Sequence, residues 1–406
     1  MMDIKKKKDI IVIGGGMSGC STAYYLAKSG FNVVIVEQRS IGSGASGRTG
    51  SCLMQLDGRN MTPERVRKRL PFVRADVKLL HGLKYELEQD IELLSFGGID
   101  IANSEEEADL LRGVVEIQKT GGDDETEFVD KVTLKEISPA ISEKNYGAKY
   151  CKTDGTFNPI KLCWSYVFTA HNRYNLHLAL HKKVEKVIFK GGIAIGVKTN
   201  QEEMFAEVGV INCTNAWSPY LIQEIPIFPV SGVTAVTERI PYIPVTSWES
   251  TYKGHYCYGT SQESGNLIIG GLPTYMPDTV DGHFKESASY EELERFAGML
   301  SMLYPSLSKI SFLRIWSGVM GMTPDRLPYI GKIPGYDNYY INTGYSNGLA
   351  YCPIGGKLIA EYISRKGNTS ISLDLVRPER FFGMKFDLPK QYNYELLDKI
   401  IGEWNL

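Results

Sequence analysis

The 406-residue sequence has few of the features that would place a protein in a membrane, on nucleic acid or around a metal ion. No stretch approaches the ~18 continuous apolar residues that cross a bilayer. Lysines and arginines number 45 against 47 acidic residues, a net charge of −2, so the composition has no basic bias that would point to nucleic acid. The seven cysteines are dispersed without a CxxC pair, and this favours reduced thiols over disulfides or a zinc site.

Two further patterns, a basic N-terminal segment and a group of histidines, imitate a signal peptide and a metal site. The lysines at 5–8 precede an apolar run and so imitate a secretory signal peptide, but glycines at 14–16 break the run. A strand with a solvated basic leader fits better, and we expect a cytoplasmic protein. His171, His177 and His181 lack the spacing of metal ligands, so a helix face or packed rings is the preferred interpretation and no metal is expected.

The most informative feature present is a glycine-rich turn between a strand pattern and a helix pattern. A buried-strand run at 9–13 leads into Gly14-Gly15-Gly16-Met17-Ser18-Gly19, a helix pattern runs to residue 29, and a second strand pattern ends at Glu37. This order is the dinucleotide-binding fingerprint. Gly14 permits the tight turn, Gly16 lets a pyrophosphate approach the backbone, and Gly19 lets the helix pack closely. The helix N-terminus attracts phosphate, and Glu37, followed by Gln38, lies where an acidic residue reaches ribose hydroxyls.

A second loop of small residues follows at 40–51. Small residues let a backbone pass close to a flat ligand, and a flexible surface loop is the alternative interpretation. The candidate ligand contacts in this loop are Gly44, Ala45, Ser46, Arg48, Thr49, Gly50 and Ser51.

The length allows two or three domain-sized units. Helix and strand patterns alternate up to Trp217, and the chain is β-rich from 225 to 271. We therefore expect a nucleotide-binding domain that is discontinuous in sequence and interrupted by pieces of a β-rich second domain.

These motifs resemble the flavin-dependent D-amino acid oxidase superfamily, in the branch of glycine oxidase and sarcosine oxidase. The similarity extends to the turn at 155–159, to Val184 and to the segment 213–217. Its most specific part is the block Arg314-x-Trp316-x-Gly318, Thr323-Pro324-Asp325 and Pro328-x-Ile330-Gly331. That block looks closest to the β subunits of hetero-oligomeric sarcosine oxidase and dye-linked proline dehydrogenase.

The resemblance implies an α/β fold with a Rossmann-like FAD-binding domain of the glutathione-reductase type at 1–90, 150–222 and 318–370. A substrate domain with a mainly antiparallel β-sheet and flanking helices would occupy 91–149 and 223–317, and a C-terminal extension 371–406. The isoalloxazine would lie between the two domains, with the N-terminus of a helix near Gly348 aimed at its pyrimidine edge. The further FAD contacts that the resemblance implies are Val184 at the adenine, Thr214, Trp217, Gly318, Gly344, Ser346, Asn347, Gly348 and Leu349.

Four departures from the family pattern bear on chemistry. Met320 and Ser346 stand where glycine oxidase carries two arginines, which argues against glycine or a simple α-amino acid as the substrate. No cysteine lies between Trp316 and Thr323, so the FAD should be non-covalent. Asn158-Pro159 occupies the stretch where some β subunits attach a second flavin to histidine, so covalent FMN is not expected. A second flavin shared with a partner subunit stays open.

The activity implied is FAD-dependent oxidation of an amino or imino acid, such as proline, hydroxyproline, sarcosine or an opine, to an imine. The alternative is a flavin-carrying electron-transfer or structural subunit. Tyrosines at 252, 256 and 258 favour an enzyme, because a substrate cavity over a flavin needs aromatic walls and hydroxyls that form hydrogen bonds. Packing in the core would explain these tyrosines too. We expect Tyr256 and Arg48 to contact the substrate.

A dehydrogenase within a complex is expected rather than a free oxidase. The block at 314–331 looks closest to β subunits, and no lysine lies between Trp316 and Thr323, where a cation near the flavin would help to stabilise superoxide. An apolar stripe in the extension would dock on a partner subunit or on its own chain. Its residues are Tyr394, Leu397, Ile400, Ile401 and Trp404.

Overall fold

The computed structural model describes residues 8–56, 62–240, 247–271, 279–280, 283–284 and 286–386. The helices within these ranges are α1 (Met17–Lys28), α2 (Pro63–Glu86), α3 (Glu105–Thr120), α4 (Lys131–Ile137), α5 (Pro159–Arg173), α6 (Tyr290–Leu303) and α7 (Cys352–Ser364). The strands are β1 (Lys8–Ile13), β2 (Val33–Glu37), β3 (Cys52–Leu53), β4 (Gly98–Ile101), β5 (Thr126–Val129), β6 (Ala148–Cys151), β7 (Gly155–Thr156), β8 (Leu176–Leu180), β9 (Val184–Lys190), β10 (Ile193–Thr199), β11 (Glu203–Asn212), β12 (Phe228–Arg239), β13 (Ser247–Tyr252), β14 (His255–Ser261), β15 (Asn266–Gly271), β16 (Thr279–Val280), β17 (His283–Phe284), β18 (Phe312–Met322), β19 (Tyr329–Lys332) and β20 (Tyr339–Thr343).

The first sheet has β1 near its centre, in the order β19-β20-β11-β1-β2-β8, and β10 and β9 extend it from β11. β1 pairs in parallel with β11 and β2. Both faces of such a strand must be covered, and successive side chains point to opposite faces. Ile10 and Val12 accordingly belong to a core shared with helices α1, α2, α5 and α7. Ile11 and Ile13 belong to a second core with β9 and β10.

The second sheet runs β18-β12-β15-β14-β13-β4-β6-β5. Its pairs are antiparallel except for the parallel pair of β13 and β4. Helix α6 covers one face, where Phe296 and Leu300 share a core with Trp248 and Ile269. The mostly parallel first sheet, the mostly antiparallel second sheet and their flanking helices confirm the predicted α/β fold.

The domain limits proposed from the sequence stay a prediction. Strand β18, within which the limit at 318 falls, pairs with β12 from Phe312 to Met322. Residues 387–406, which carry the predicted apolar stripe of the extension, lie outside the described residues.

Two helices differ from the patterns that predicted them. The helix expected from about 349 begins at Cys352, because residues 349–351 form a turn and Tyr351 has the non-helical φ of −143°. A proline inside a helix pattern predicts a break at that residue, yet α2 continues through Pro71. Proline removes one helical hydrogen bond, but Val66 and Val77, on either side of it, are buried in the same core.

Candidate active site

The fingerprint turn has the geometry that its glycines require. Gly14 has a φ of +103°, and a Cβ there would lie 2.8 Å from the Cys213 carbonyl oxygen. A Cβ on Gly19 would lie 1.9 Å from the Gly14 carbonyl oxygen, so α1 packs directly on the turn. Gly16 is the N-cap of α1 and has no side chain of its own to cap the helix. The Met17 N–H donates to Ser46 Oγ at 2.9 Å, which joins the second small-residue loop to the helix N-terminus.

Glu37 closes the other side of the turn. Its Oε2 accepts a hydrogen bond from the Gly15 N–H at 2.7 Å, and its Oε1 accepts one from the Arg39 N–H at 2.7 Å. These two bonds fix the carboxylate at the end of β2, beside the turn. The acid therefore lies where the fingerprint predicts it.

A cavity of about 660 Å³ extends from this turn between the two sheets. Its volume is in the range of small-molecule sites, ~300–1,000 Å³. The lining residues that the sequence predicted are Gly14, Gly16, Met17, Ser18, Glu37, Gln38, Gly44, Ala45, Ser46, Arg48, Thr49, Val184, Thr214, Trp217, Gly318, Ser346, Gly348 and Leu349. Residues from both sheets and from the loops after their strands thus meet around one space.

Seven predicted residues are not part of the cavity wall: Gly15, Gly19, Gly50, Ser51, Gly344, Asn347 and Tyr256. Several of them instead hold the wall in place. The Gly344 N–H donates to Asn215 Oδ1 at 3.1 Å, and Asn347 Nδ2 donates to the Met54 carbonyl oxygen at 2.7 Å. Thr260 Oγ1 donates to the Gly50 carbonyl oxygen at 2.7 Å. Ser51 has a φ of +63°, and its carbonyl oxygen accepts a hydrogen bond from Thr156 Oγ1 at 2.6 Å.

Tyr256 and Tyr258 lie two residues apart on β14, so their side chains share one face of the strand. Tyr258 lines the cavity, and Tyr256 is not among the lining residues. Burial raises the pKa of the Tyr258 hydroxyl to about 12, with a hydrogen bond to Thr234 opposing the rise. Tyr258 is therefore a neutral hydroxyl in the cavity wall at neutral pH.

The cavity also has walls that sequence patterns did not assign as contacts. These residues are Ile13, Val36, Arg39, Lys182, Lys183, Glu185, Cys213, Asn215, Tyr220, Leu221, Gly232, Thr234, Gly271, Val319, Tyr345 and Cys352. Gly232 and Thr234 lie two residues apart on β12 and therefore on the same face of the strand. A period-two pattern identifies such a face, but the pairing of β12 with β18 is needed to know that this face lines the cavity.

The turn before α7 faces the cavity with backbone donors. Gly348 and Leu349 line the cavity, and in the described part of the chain their N–H groups donate no hydrogen bond. These donors, together with the positive end of α7, suit an acceptor that gains negative charge. The reduced pyrimidine edge of a flavin is such an acceptor, so this part of the wall fits the cofactor.

Arg48 is held in the wall by three groups. Its Nη1 donates to the Ser43 carbonyl oxygen at 2.8 Å, and its Nη2 lies 2.9 Å from a carboxylate oxygen of Glu286. The indole N–H of Trp316 donates to the Arg48 carbonyl oxygen at 3.0 Å. A Cβ on Gly318 would lie 2.7 Å from the Arg48 Cβ, so glycine on β18 makes room for the arginine.

Met320 lies two residues beyond Gly318 on the same face of β18, and it lines the cavity together with Ser346. Ser346 Oγ donates to the Arg326 carbonyl oxygen at 2.7 Å. A thioether and a bonded hydroxyl thus occupy the two positions that the family resemblance assigns to arginines.

Two thiols line the cavity, Cys213 and Cys352. Burial raises the pKa of Cys213 to about 12 and that of Cys352 well above its usual value. Since the thiolate is the nucleophile, neither thiol is prepared to attack a cofactor. Across the described ranges, no group of histidine, cysteine, aspartate and glutamate side chains could hold a metal ion, and no helix is long and apolar enough to cross a membrane.

Comparisons with known proteins agree with this geometry. The family model DAO, described as FAD dependent oxidoreductase, matches residues 9–362. The chain is 27% identical to glycine oxidase of Bacillus subtilis (strain 168) over 372 residues, which are 89% of this chain and 95% of that protein. It is 25% identical to sarcosine oxidase subunit beta of Rhizobium meliloti (strain 1021) over 405 residues, which are 94% and 90% of the two chains. The solved structure of L-proline dehydrogenase from P. horikoshii aligns with a TM-score of 0.79 at 26% identity, covering 92% of this chain and 98% of that one.

The family match covers both sheets and every part of the chain that lines the cavity. The resemblance read from the motifs is thereby confirmed. The open helix N-terminus, the glycine cradle and the cavity all fit the cofactor of that family. The chain belongs to the DAO family of FAD dependent oxidoreductases, and its cofactor is FAD.

Proposed function

We propose that this protein oxidises a small secondary amine that carries a carboxylate, such as sarcosine, proline, hydroxyproline or an opine. The carbon next to nitrogen loses a hydride and the nitrogen loses a proton, so that a C=N double bond forms and water later hydrolyses it. The bound FAD supplies the two-electron chemistry. The names of two relatives, sarcosine oxidase subunit beta and L-proline dehydrogenase, support this class of substrate.

The observation that carries the proposal is the charge distribution around β18. Arg48 packs against Gly318, while Met320 and Ser346 bring no charge to the same cavity. A buried carboxylate needs a cationic or hydrogen-bonding partner because its desolvation costs several kcal/mol. We infer that Arg48 binds the substrate carboxylate and that Met320 contacts the substituents on nitrogen.

The tyrosines would provide the second anchor. We assign Tyr256 as a substrate contact, as its position in the sequence suggests, and add Tyr258 because it lines the cavity. Burial keeps the Tyr258 hydroxyl protonated at neutral pH. It can therefore donate a hydrogen bond to a carboxylate but cannot act as a base.

The decisive experiment is anaerobic reduction of the purified holoenzyme by a panel of amines. The loss of flavin absorbance measures the rate of reduction by each amine. We expect sarcosine, the two enantiomers of proline, hydroxyproline or an opine to bleach the flavin faster than glycine. The variants Arg48→Ala and Tyr256→Phe should slow bleaching by the best amine. If both leave the rate unchanged at every substrate concentration, the assigned contacts are wrong; if glycine is the best reductant, the substrate class is wrong.

A second candidate is a flavoprotein subunit that works within a hetero-oligomer in the cytoplasm. The similarity to a protein named as a subunit supports it. So does an apolar stripe on α5, where Ile160 and Phe168 are 45% and 54% exposed and Trp164 stacks on Phe168 at 5.3 Å between ring centroids. Clustered exposed apolar residues mark interaction surfaces. All seven cysteines are free thiols, in keeping with a reducing compartment.

A further inference from the structure

Asp76 of α2 is a carboxyl group buried at the start of α7. The residue has no exposed surface. Its Oδ1 accepts a hydrogen bond from the Ile354 N–H at 2.7 Å. Its Oδ2 is also buried and has no hydrogen-bond partner in the described part of the chain.

The surroundings of Asp76 would not stabilise a carboxylate. Its uncharged titratable neighbours are Tyr25 of α1, Tyr166 of α5, Tyr345, and Cys352 of α7, and a charge on Asp76 would raise the pKa of each. The charged groups on the packed helices are engaged elsewhere: Arg69 Nε donates to the Tyr351 hydroxyl at 2.8 Å, and Glu361 lies 3.9 Å from both Lys357 and Arg365. Burial raises the pKa of Asp76 well above its usual value, and the Ile354 hydrogen bond opposes that rise.

The hydrogen bonds of the first turn of α7 show what Asp76 contributes. The Cys352 N–H donates to the Gly348 carbonyl oxygen at 2.9 Å, and Pro353 has no N–H to donate. The Ile354 N–H is therefore the donor that the turn itself leaves open, and Asp76 accepts from it. Cys352, two residues earlier, lines the cavity.

We propose that Asp76 caps α7 as a neutral carboxylic acid and is thereby a positioning residue for the flavin. An ionised carboxylate at a helix N-terminus would offset the partial positive charge of that end. The reduced isoalloxazine would then lose part of the stabilisation that α7 gives it. The neutral acid satisfies the buried donor and leaves the dipole intact. This inference rests on the proposed placement of the isoalloxazine beside residues 346–352.

The first test separates the neutral from the ionised form. Asp76→Asn keeps the shape and the acceptor oxygen but cannot ionise. We expect the infrared spectrum of the wild-type holoenzyme at pH 7 to contain a protonated-carboxyl C=O band that Asp76→Asn lacks. The reduction potential of the bound FAD, titrated in a spectroelectrochemical cell, should be equal in the two proteins. A more positive potential in Asp76→Asn, with no carboxyl band in the wild type, would show an ionised Asp76 and overturn the proposal.

The second test concerns the cap. Asp76→Leu keeps the branched shape, with a larger volume, but cannot accept the Ile354 N–H, and an unpaired buried donor corresponds to roughly a tenfold loss in an equilibrium constant. We expect its FAD dissociation constant to rise by about that factor while Asp76→Asn matches the wild type. Equal dissociation constants for both variants would exclude the cap role. If Asp76→Leu does not fold, the infrared band and the potential of Asp76→Asn still decide.

The control is Asp109→Asn on α3, where an exposed carboxylate pairs with Arg112 at 2.6 Å. It should change neither the carboxyl band nor the potential. None of these measurements uses an amine substrate. A failed amine panel therefore counts against the proposed substrate alone, and a failed carboxyl test counts against Asp76 alone.

Discussion

The guanidinium group of Arg48 makes an ion pair of 2.9 Å with the carboxylate of Glu286, and both side chains are largely shielded, at 26% and 23% exposure. Glu286 therefore already uses part of the hydrogen-bonding capacity of the Arg48 guanidinium, which we assign to the substrate carboxylate. A substrate must displace this carboxylate or share the guanidinium with it. A substrate that binds Arg48 must therefore carry a negatively charged group that can compete with the Glu286 carboxylate.

This relationship predicts opposite effects for its two partners. Arg48→Ala should raise the KM for the best carboxylate-bearing amine by ~10- to 100-fold, because a charge-assisted hydrogen bond contributes ~1.5–3 kcal/mol. Glu286→Gln should lower the KM a few-fold, since the competing carboxylate is removed. Steady-state kinetics will measure both, and Arg112→Ala, which removes an exposed ion pair on α3, should change neither. A higher KM in Glu286→Gln would contradict this reading of the pair.

Gly16→Val should abolish FAD binding. Gly16 lines the cavity at the N-terminus of α1, and a Cβ there meets only Ser46 Oγ, at 3.3 Å. The branched side chain would extend into the space needed by the pyrophosphate without disturbing the fold. Flavin content after purification and a thermal melt of the apoprotein measure the two effects. Gly113→Ala on α3, where a Cβ meets nothing within 4 Å, is the matched control and should bind FAD normally.

The FAD should be released by denaturation. No cysteine lies between Trp316 and Thr323, and burial keeps the cavity thiols Cys213 and Cys352 protonated. Acid precipitation should leave a colourless pellet and a yellow supernatant that migrates as FAD. A pellet that stays yellow would show a covalent bond, and peptide mapping would then identify the residue.

The free energy of unfolding should decrease as the pH rises from 4 to 6, because Asp154 ionises in this range. Burial raises its pKa to about 6, against hydrogen bonds from Gln55 and the charge of Lys149, whereas the unfolded chain ionises near ~4. A folded-state pKa above the unfolded value makes ionisation destabilising as the pH rises through this window. Relative to Asp154→Asn, the wild type should lose about 3 kcal/mol of unfolding free energy from pH 4 to 7. Urea unfolding of both proteins measures it, and a constant difference between pH 4 and 7 would show that folding does not shift the pKa of Asp154.

Electron disposal should favour an artificial dye over oxygen. No lysine lies between Trp316 and Thr323, and a cation near flavin N5 would help to stabilise superoxide. We expect fast turnover with a dye, slow peroxide formation, and a native mass above that of one chain when the protein is co-expressed with its genomic neighbours. Rapid peroxide production by a lone monomer would favour an oxidase.

The sequence predicted the cofactor end of the cavity better than the substrate end. Gly14, Gly16 and Glu37 act through local spacing, which a pattern of strand, turn and helix preserves. The pairing of Arg48 with Glu286 depends on how distant segments fold, and no local pattern encodes it. Asp76 had a faint signal, since an aspartate stands among the apolar residues of a helix face at Val73, Val77 and Leu80. Only the packing of α2 on α7 shows what it caps.

The strand order of the first sheet also bears on when FAD can bind. The central strand β1 pairs with β11, and β11 pairs with β20, so the sheet is incomplete until residues near 343 are available. The cavity wall likewise extends from Ile13 to Cys352. During synthesis on the ribosome, the glycine turn emerges well before the segments that enclose it, because they follow it in the chain. We therefore expect FAD to be captured only after α7 has emerged, since a nascent chain truncated before α7 has the fingerprint but lacks part of the cavity wall that would retain the flavin.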